Sequence, residues 1–195
     1  MKICIIGYGK MGKMVEKIAK SKGHSISQLI DSPNEEVEEH SDIAIIFSTP
    51  KSAYSNIIKC FEKKIPVVCG TTGWLNDIDK IKMYCKENKS TFLFSPNFSL
   101  GVNLFFKISN SISKIMRHHD EFNSKINEIH HTSKIDSPSG TAKKIKEDID
   151  SILKKDTAIE SKRIGSNKGT HEIIYESMSD TIKLSHTAKN RDSFA

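Results

Sequence analysis

The first half of the chain alternates short apolar runs with stretches of helical period. KICIIG (2–7) predicts a buried strand. MGKMVEKIAKSKG (11–23) predicts a helix with Met11, Met14, Val15 and Ile18 on one side and Gly23 as its stop. Further strands are expected at HSISQLID (24–31), DIAIIFSTP (42–50, ended by Pro50), IPVVCG (65–70) and TFLFSP (91–96), with helices at about 51–63 and 76–88. Strands that alternate with helices build a mostly parallel sheet joined by crossover helices. The apolar runs are nearly continuous, as strands covered on both faces require.

After Pro96 the pattern changes. LGVNLFFKISNSISKIM (100–116) predicts a helix whose apolar stripe is Leu100, Leu104, Ile108, Ile112 and Ile115. EFNSKINEIHH (121–131) predicts a strand, the segment after Pro138 a lysine-rich helix to about Lys155, and THEIIYESM (170–178) with DTIKLSHTA (180–188) two strands about a Ser-Asp turn. The expected fold class is α/β: a parallel-sheet domain over residues 1–98, then a smaller α+β domain with an antiparallel or mixed sheet over 99–195. The boundary falls near 97–101, and there is no internal repeat or low-complexity segment.

Composition changes this picture little. The 195 residues suit one large domain or two small ones and can bury a real core. The formal charge of +6 comes from lysines scattered over nearly every segment, with arginine only at Arg117, Arg163 and Arg191. A nucleic-acid reader would cluster its cations and favour arginine, so no nucleic-acid partner is expected. Cys4, Cys60, Cys69 and Cys85 form no C-x-x-C pair, and this fits reduced cysteines in a cytoplasmic protein without disulfides or zinc. No apolar run is long enough to span a membrane.

GYGKMG supplies Gly7-x-Gly9-x-x-Gly12 between the first strand and the first helix. Gly7 permits the turn, Gly9 lets backbone N–H groups approach a pyrophosphate, and Gly12 lets helix and sheet pack closely. Tyr8, Lys10 and Met11 complete the loop, and the helix start adds partial positive charge. Asp31 closes the second strand, where a carboxylate can bond the ribose hydroxyls; its competing role is a turn before Ser32-Pro33. Together these features give a Rossmann-like dinucleotide domain. A carboxylate suits a free 2′-hydroxyl and repels a 2′-phosphate, so NADH is preferred over NADPH. Ligands in such sheets bind at the carboxyl ends of the strands. This brings in Gly70, Thr71 and Thr72 for a nicotinamide carboxamide, and the later loop of Ser95, Pro96, Asn97 and Phe98.

IHHTSKIDSPSGTA (129–142) gathers unusual chemistry. Ser137 is expected as N-cap and Pro138 as first helical residue, so the N–H groups of Ser139, Gly140 and Thr141 would make an anion site, with Lys134 beside it. His130 and His131 point to opposite faces if the strand continues. A carboxylate beside a histidine and a lysine suits general acid–base chemistry. The pair lacks metal-ligand spacing, so no metal is expected. His118-His119 reads as a solvated helix end.

GYGKMG, GTTG, SPNFSLGVN and HHTSKIDSPSGTA, in that order, resemble the 4-hydroxy-tetrahydrodipicolinate reductase (dihydrodipicolinate reductase) family. The last motif is the most specific. The resemblance implies NAD(P)H-dependent reduction of a cyclic dicarboxylate, with loss of its 4-hydroxyl as water, on the diaminopimelate route to lysine. It implies His130 as proton donor or acceptor and Lys134 as general acid. His131, Gly140 and Thr141 would bind substrate, and the cofactor would lie along Gly7 to Gly12, Asp31, Gly70 to Thr72 and Ser95 to Phe98. A homotetramer assembled through the C-terminal sheets is implied, with domains that close on substrate. Which of Lys134 and His130 delivers the proton stays open.

The chain departs from the family pattern in places. Its glycine loop is one residue shorter than the common form, STPKS lacks an arginine, and the interdomain loop is trimmed. The chain stops at RDSFA, where the family usually continues into a final helix, so an incomplete or reduced form is expected. The alternatives are another nicotinamide-dependent dehydrogenase, such as one acting on amino acids, and a non-catalytic NAD-binding relative.

Overall fold

Alternating apolar runs and amphipathic segments form a parallel sheet in the computed structural model, which describes residues 1–32, 34–190 and 192–195. Pro33 of the expected Ser-Pro turn and Arg191 lie outside the described residues. The chain divides into two compact units, Met1–Phe98 with Ala195 and Ser99–Phe194.

The first unit runs β1 (Lys2–Ile6), α1 (Lys10–Ser21), β2 (Ser25–Ile30), β3 (Ile43–Ile46), α2 (Pro50–Glu62), β4 (Val67–Cys69), α3 (Ile78–Asn88) and β5 (Phe92–Phe94). Its sheet has the order β2-β1-β3-β4-β5 with every pair parallel. Strand alternation splits the core into two layers. Ile3 and Ile5 face Val15 and Ala19 of α1, while Cys4, Ile6, Ala44 and Ile46 share a cluster with Ile57 and Phe61 of α2 and Ile81 of α3. Strand order reverses between β1 and β3, and a crevice opens there at the carboxyl ends. Pro50 does not merely end β3. It opens α2, with Thr49 as its N-cap.

The second unit runs α4 (Leu100–Met116), β6 (Asn123–His130), α5 (Gly140–Leu153), β7 (Ala158–Arg163), β8 (Thr170–Glu176) and β9 (Thr181–Thr187). Its sheet is mixed, ordered β7-β6-β8-β9, with β6 and β7 parallel and the other pairs antiparallel. Register sorts the inner face into rows. Ile159, Ile126, Ile173 and Leu184 form an apolar row that packs with Phe105, Ile145 and Ile149 of the two helices. The next row is Ser161, Glu128, His171 and His186.

Three expectations need correction here. The bounds of α4 agree with its sequence pattern, but its face does not. Leu100, Leu104, Ile108 and Ile115 are exposed, and Val102, Phe105, Ser109, Ser113 and Met116 are buried. Small serines let the helix sit close to the sheet, and Ser113 Oγ lies 2.8 Å from the Tyr175 hydroxyl. A pattern that counts only large apolar residues misses such a face. The second correction is β7, a polar edge strand that the hydrophobic pattern does not announce. The third is the cap of α5, which is Ser139 rather than Ser137: its side chain accepts from Ala142 N–H at 3.2 Å, and Pro138 lies outside the helix.

Candidate active site

The residues expected at the nucleotide lie in the first unit. Gly7 has φ of +92°, and a Cβ there would lie 2.2 Å from the Phe47 carbonyl oxygen. A Cβ on Gly12 would lie 2.1 Å from the Gly7 oxygen. Packing therefore requires both glycines. Gly9 is different: a Cβ there meets nothing within 4 Å. No neighbour in the unit accounts for its bare backbone, whereas a pyrophosphate passing over the loop would. Helices α2, α4 and α5 carry side-chain caps on Thr49, Ser99 and Ser139, while α3 and α1, the latter opening at Lys10 and Met11 after the glycine loop, have none. The first-turn N–H groups of α1 suit an anion.

Asp31 stands at the end of β2, and its Oδ1 accepts the Tyr8 N–H at 2.8 Å, so one carboxylate both edges the crevice and holds the glycine loop. A cleft of about 280 Å³ opens there, lined by Gly7, Ile30, Asp31, Ser48, Thr49 and Asn56. Gly7 of the glycine loop and the Asp31 carboxylate thus line one cleft, and the uncapped start of α1 follows the same loop, features that fit a dinucleotide.

The neighbouring loops are held mainly by internal contacts. Gly70 is needed because a Cβ would strike the Phe47 ring at 2.1 Å, a reason distinct from ligand approach. Thr71 is buried: its hydroxyl accepts Ser48 N–H at 2.9 Å and its carbonyl accepts the Trp74 indole N–H at 2.6 Å. Thr72 and Pro96 are exposed. Ser95 Oγ bonds the Asn97 carbonyl at 2.7 Å, and Phe98 sets its ring 6.3 Å from Phe47.

The residues expected to carry acid–base chemistry lie in the second unit. Strand β6 ends at His130, which is buried, and the chain then turns, with His131 half-buried and its Nδ1 2.8 Å from Ser133 Oγ. The strand ends before His131, so strand alternation does not set the direction of its ring. Lys134 Nζ bonds Asp136 Oδ1 at 2.7 Å, and the nearby Gly140 backbone N–H also favours the Asp136 carboxylate. Burial works against the Asp136 charge, but these partners hold its carboxyl below the usual range. Ser139 N–H is not presented to a ligand, because it donates to Glu128 Oε1 at 3.0 Å. Gly140 and Thr141 remain as the first helical N–H groups. Like Gly9, Gly140 has open space where a Cβ would go.

Sequence reasoning missed Glu128, Arg163, His171 and Gly169 as members of this site. Glu128 is fully buried and receives Arg163 Nη2 at 3.0 Å. Arg163 also donates to the carbonyls of Lys134 and Asp136, pinning the Lys-Ile-Asp turn. Burial works to raise the Glu128 carboxyl, but its bonds to Ser139 and Arg163 outweigh that and hold it below its ordinary value. His130 Nδ1 lies 3.2 Å from Glu128 Oε2, and His171 Nε2 lies 3.9 Å from the same oxygen. Burial lowers the proton affinity of His130, and Glu128 opposes that only in part. Burial pushes His171 down to about 4, helped by His130. A Cβ on Gly169, whose φ is +138°, would come within 3.1 Å of His130 Nε2. One signal was legible: Glu128 shares its face with His130 through strand alternation. His171 joins them only through register.

Glu128, His130 and His171 bring one donor atom each within 4.8 Å of one another, a spacing a metal ion could use. The Arg163 guanidinium already neutralises the carboxylate and Lys134 adds positive charge nearby, so the arrangement suits proton chemistry better than a cation.

Comparison with known proteins decides among the readings. A family model described as "Dihydrodipicolinate reductase, N-terminus" matches residues 1–98, and one described as "Dihydrodipicolinate reductase, C-terminus" matches residues 101–195. The chain belongs to the dihydrodipicolinate reductase family. It is 40% identical over 213 residues to the 4-hydroxy-tetrahydrodipicolinate reductase of Christiangramia forsetii, with 100% of the chain and 88% of the relative covered. It is 31% identical over 227 residues to the enzyme of that name from Staphylococcus aureus strain MRSA252, covering 100% and 90%. The solved dipicolinate-bound dihydrodipicolinate reductase of Paenisporosarcina sp. TG-14 shares the fold, with a TM-score of 0.81, 21% identity, and 100% and 90% covered. With the family come oxidoreductase activity, a pyridine-nucleotide-binding first domain and a place in lysine biosynthesis through diaminopimelate. The amino-acid dehydrogenase and non-catalytic readings are not favoured. Among the described residues no helix is long and apolar enough to cross a membrane.

Proposed function

We propose that this chain reduces 4-hydroxy-tetrahydrodipicolinate to tetrahydrodipicolinate with a reduced nicotinamide nucleotide, NADH in preference to NADPH. The observation that carries the reading is the pairing of two glycines that packing does not require. Gly9 opens the uncapped end of α1, and Gly140 opens α5 beside Lys134. One suits a pyrophosphate and the other a substrate carboxylate. The printed names of the relatives, and the dipicolinate in the Paenisporosarcina enzyme, support a small cyclic dicarboxylate.

Gly140 and Thr141 N–H groups hold one carboxylate, and His131 adds a contact. A substrate carboxylate takes over the Lys134 and Gly140 partners that Asp136 engages in the free chain. The bound nucleotide supplies a hydride. Lys134 supplies the accompanying proton, because burial lowers the proton affinity of His130. His130 accepts and returns protons at its Nε2. One hydride and one proton enter, the 4-hydroxyl leaves as water, and the nucleotide is oxidised. Residues 1–98 act as the dinucleotide domain and 99–195 as the substrate and oligomerisation domain. The protein works as a cytoplasmic homotetramer.

The cofactor reading rests on Asp31, whose carboxylate edges the cleft. Asp31→Ala should raise the Kd for NADH far more than that for NADPH, measured by nucleotide fluorescence titration. Equal effects on both nucleotides would show that Asp31 does not read the ribose.

A further inference from the structure

Glu128 is the one buried carboxylate around which the pieces of the acid–base site meet. Its Oε1 accepts Ser139 N–H, the residue that starts α5, and Arg163 Nη2, which ties down the Lys134 turn. Its Oε2 faces His130 Nδ1 at 3.2 Å and His171 Nε2 at 3.9 Å. We infer that Glu128 is the positioning residue of the site: it holds the His130 ring with its proton on Nδ1 and turns Nε2 to the reacting side.

The argument is one of lone pairs and charge. An ionised carboxylate only accepts, so it cannot face the bare lone pair of an imidazole nitrogen without repulsion. His130 Nδ1 faces Glu128 Oε2 at 3.2 Å, and among the described residues neither buried atom makes a hydrogen bond of good geometry to any other group. The proton therefore sits on Nδ1, and Nε2, on the Gly169 side, is left as the acid–base atom. The charged groups around His130 are Glu128 on its own strand, Arg163 on β7, His171 on β8, and Lys134 and Asp136 in the turn. The start of α5 brings only Ser139. Glu128 and Asp136 raise the proton affinity of His130, and Lys134 and Arg163 lower it. Glu128 is the strongest of these charges, and its removal leaves only Asp136 to oppose burial and two cations. His171 adds no opposing charge, because it is itself neutral near pH 7.

The same carboxylate fixes the distance between acid–base and anion-binding parts. Ser139 caps α5 through its side chain while its own N–H reaches Glu128, so the Gly140 and Thr141 donors are set relative to His130 by one side chain. This geometry is built from residues in three strands and one helix, as a supporting shell should be.

The proposal rests on the reading of His130 as the acid–base group only in its kinetic arm. The test uses the full ligand-free chain and long-range 1H–15N correlation of its histidine rings. In the wild type the neutral His130 ring should carry its proton on Nδ1; a ring protonated on Nε2 would overturn the proposal without any variant. In Glu128→Gln the titration midpoint of His130 should fall by about one pH unit. An unchanged midpoint in a folded variant would also sink the idea. The kcat/KM profile of Glu128→Gln should move the limb that reports His130 in the same direction. A moved NMR midpoint with an unmoved kinetic limb would support the hold of Glu128 on the ring and count against His130 as the acid–base group.

Discussion

Gly9 and Gly140 are informative because the fold does not demand them, whereas Gly7 and Gly12 are fixed by carbonyls a little over 2 Å from any added Cβ. Gly12→Ala should therefore cost about 1–3 kcal/mol in urea unfolding, the usual penalty of overpacking. Gly9→Ala should leave unfolding nearly unchanged but weaken NADH roughly tenfold or more, a loss of about 1.4 kcal/mol in binding. If both variants lost stability alike, the ligand argument for Gly9 would fail. His171 makes a second residue-scale prediction. Its folded proton affinity, at about 4, lies below that of the unfolded chain. Its contribution to stability is thus full above about pH 6.5 and is lost as the pH falls towards 4, by about 3 kcal/mol. Urea unfolding of the wild type at pH 7 and pH 4.5 should reveal that loss, and His171→Asn should show a flatter dependence on pH. These residues were legible unequally. Gly9, Lys134 and Gly140 announce themselves by motif. Glu128 was one strand alternation from His130. His171 enters only because β8 pairs with β6 in a register that the sequence does not disclose.

At the scale of elements, hydrophobic period located the strands and helices more reliably than it oriented them. Helix α4 is apolar around much of its circumference, so the choice of buried face fell to the serines that fit beneath it and to the Tyr175 hydroxyl. Phe105→Ala should accordingly cost about 3–5 kcal/mol, while Leu104→Gln should stay within about 0.5 kcal/mol. Reversed outcomes in thermal and urea unfolding would restore the stripe expected from Leu100, Leu104, Ile108 and Ile115. Strand β7 escaped notice because it is an edge strand with exposed alternate positions, paired with β6 alone. Its main gift to the site is Arg163 at its end. The α5 cap was misplaced by two residues because Ser137-Pro138 satisfies the rule for a helix start as well as Ser139-Gly140 does. The tertiary bond from Ser139 N–H to Glu128 favours the later start.

Across the whole molecule, each unit builds one half of the chemistry on its own sheet. A parallel sheet ends at an anion-ready crevice, and a mixed sheet carries acid–base groups along one row of its inner face. A net charge of +6 favours the approach of anionic substrate and nucleotide alike. The division was readable because the period changes after Pro96 and because the motifs keep to their own units. The central claim is that Lys134 works in the chemical step while the other unit holds the nucleotide. It is tested most directly by the kcat of Lys134→Ala with synthase-generated substrate, followed as loss of NADH absorbance, alongside the Kd for NADH. The account predicts a fall in kcat of roughly 10²-fold or more with NADH binding unchanged. A near-wild-type kcat would contradict it.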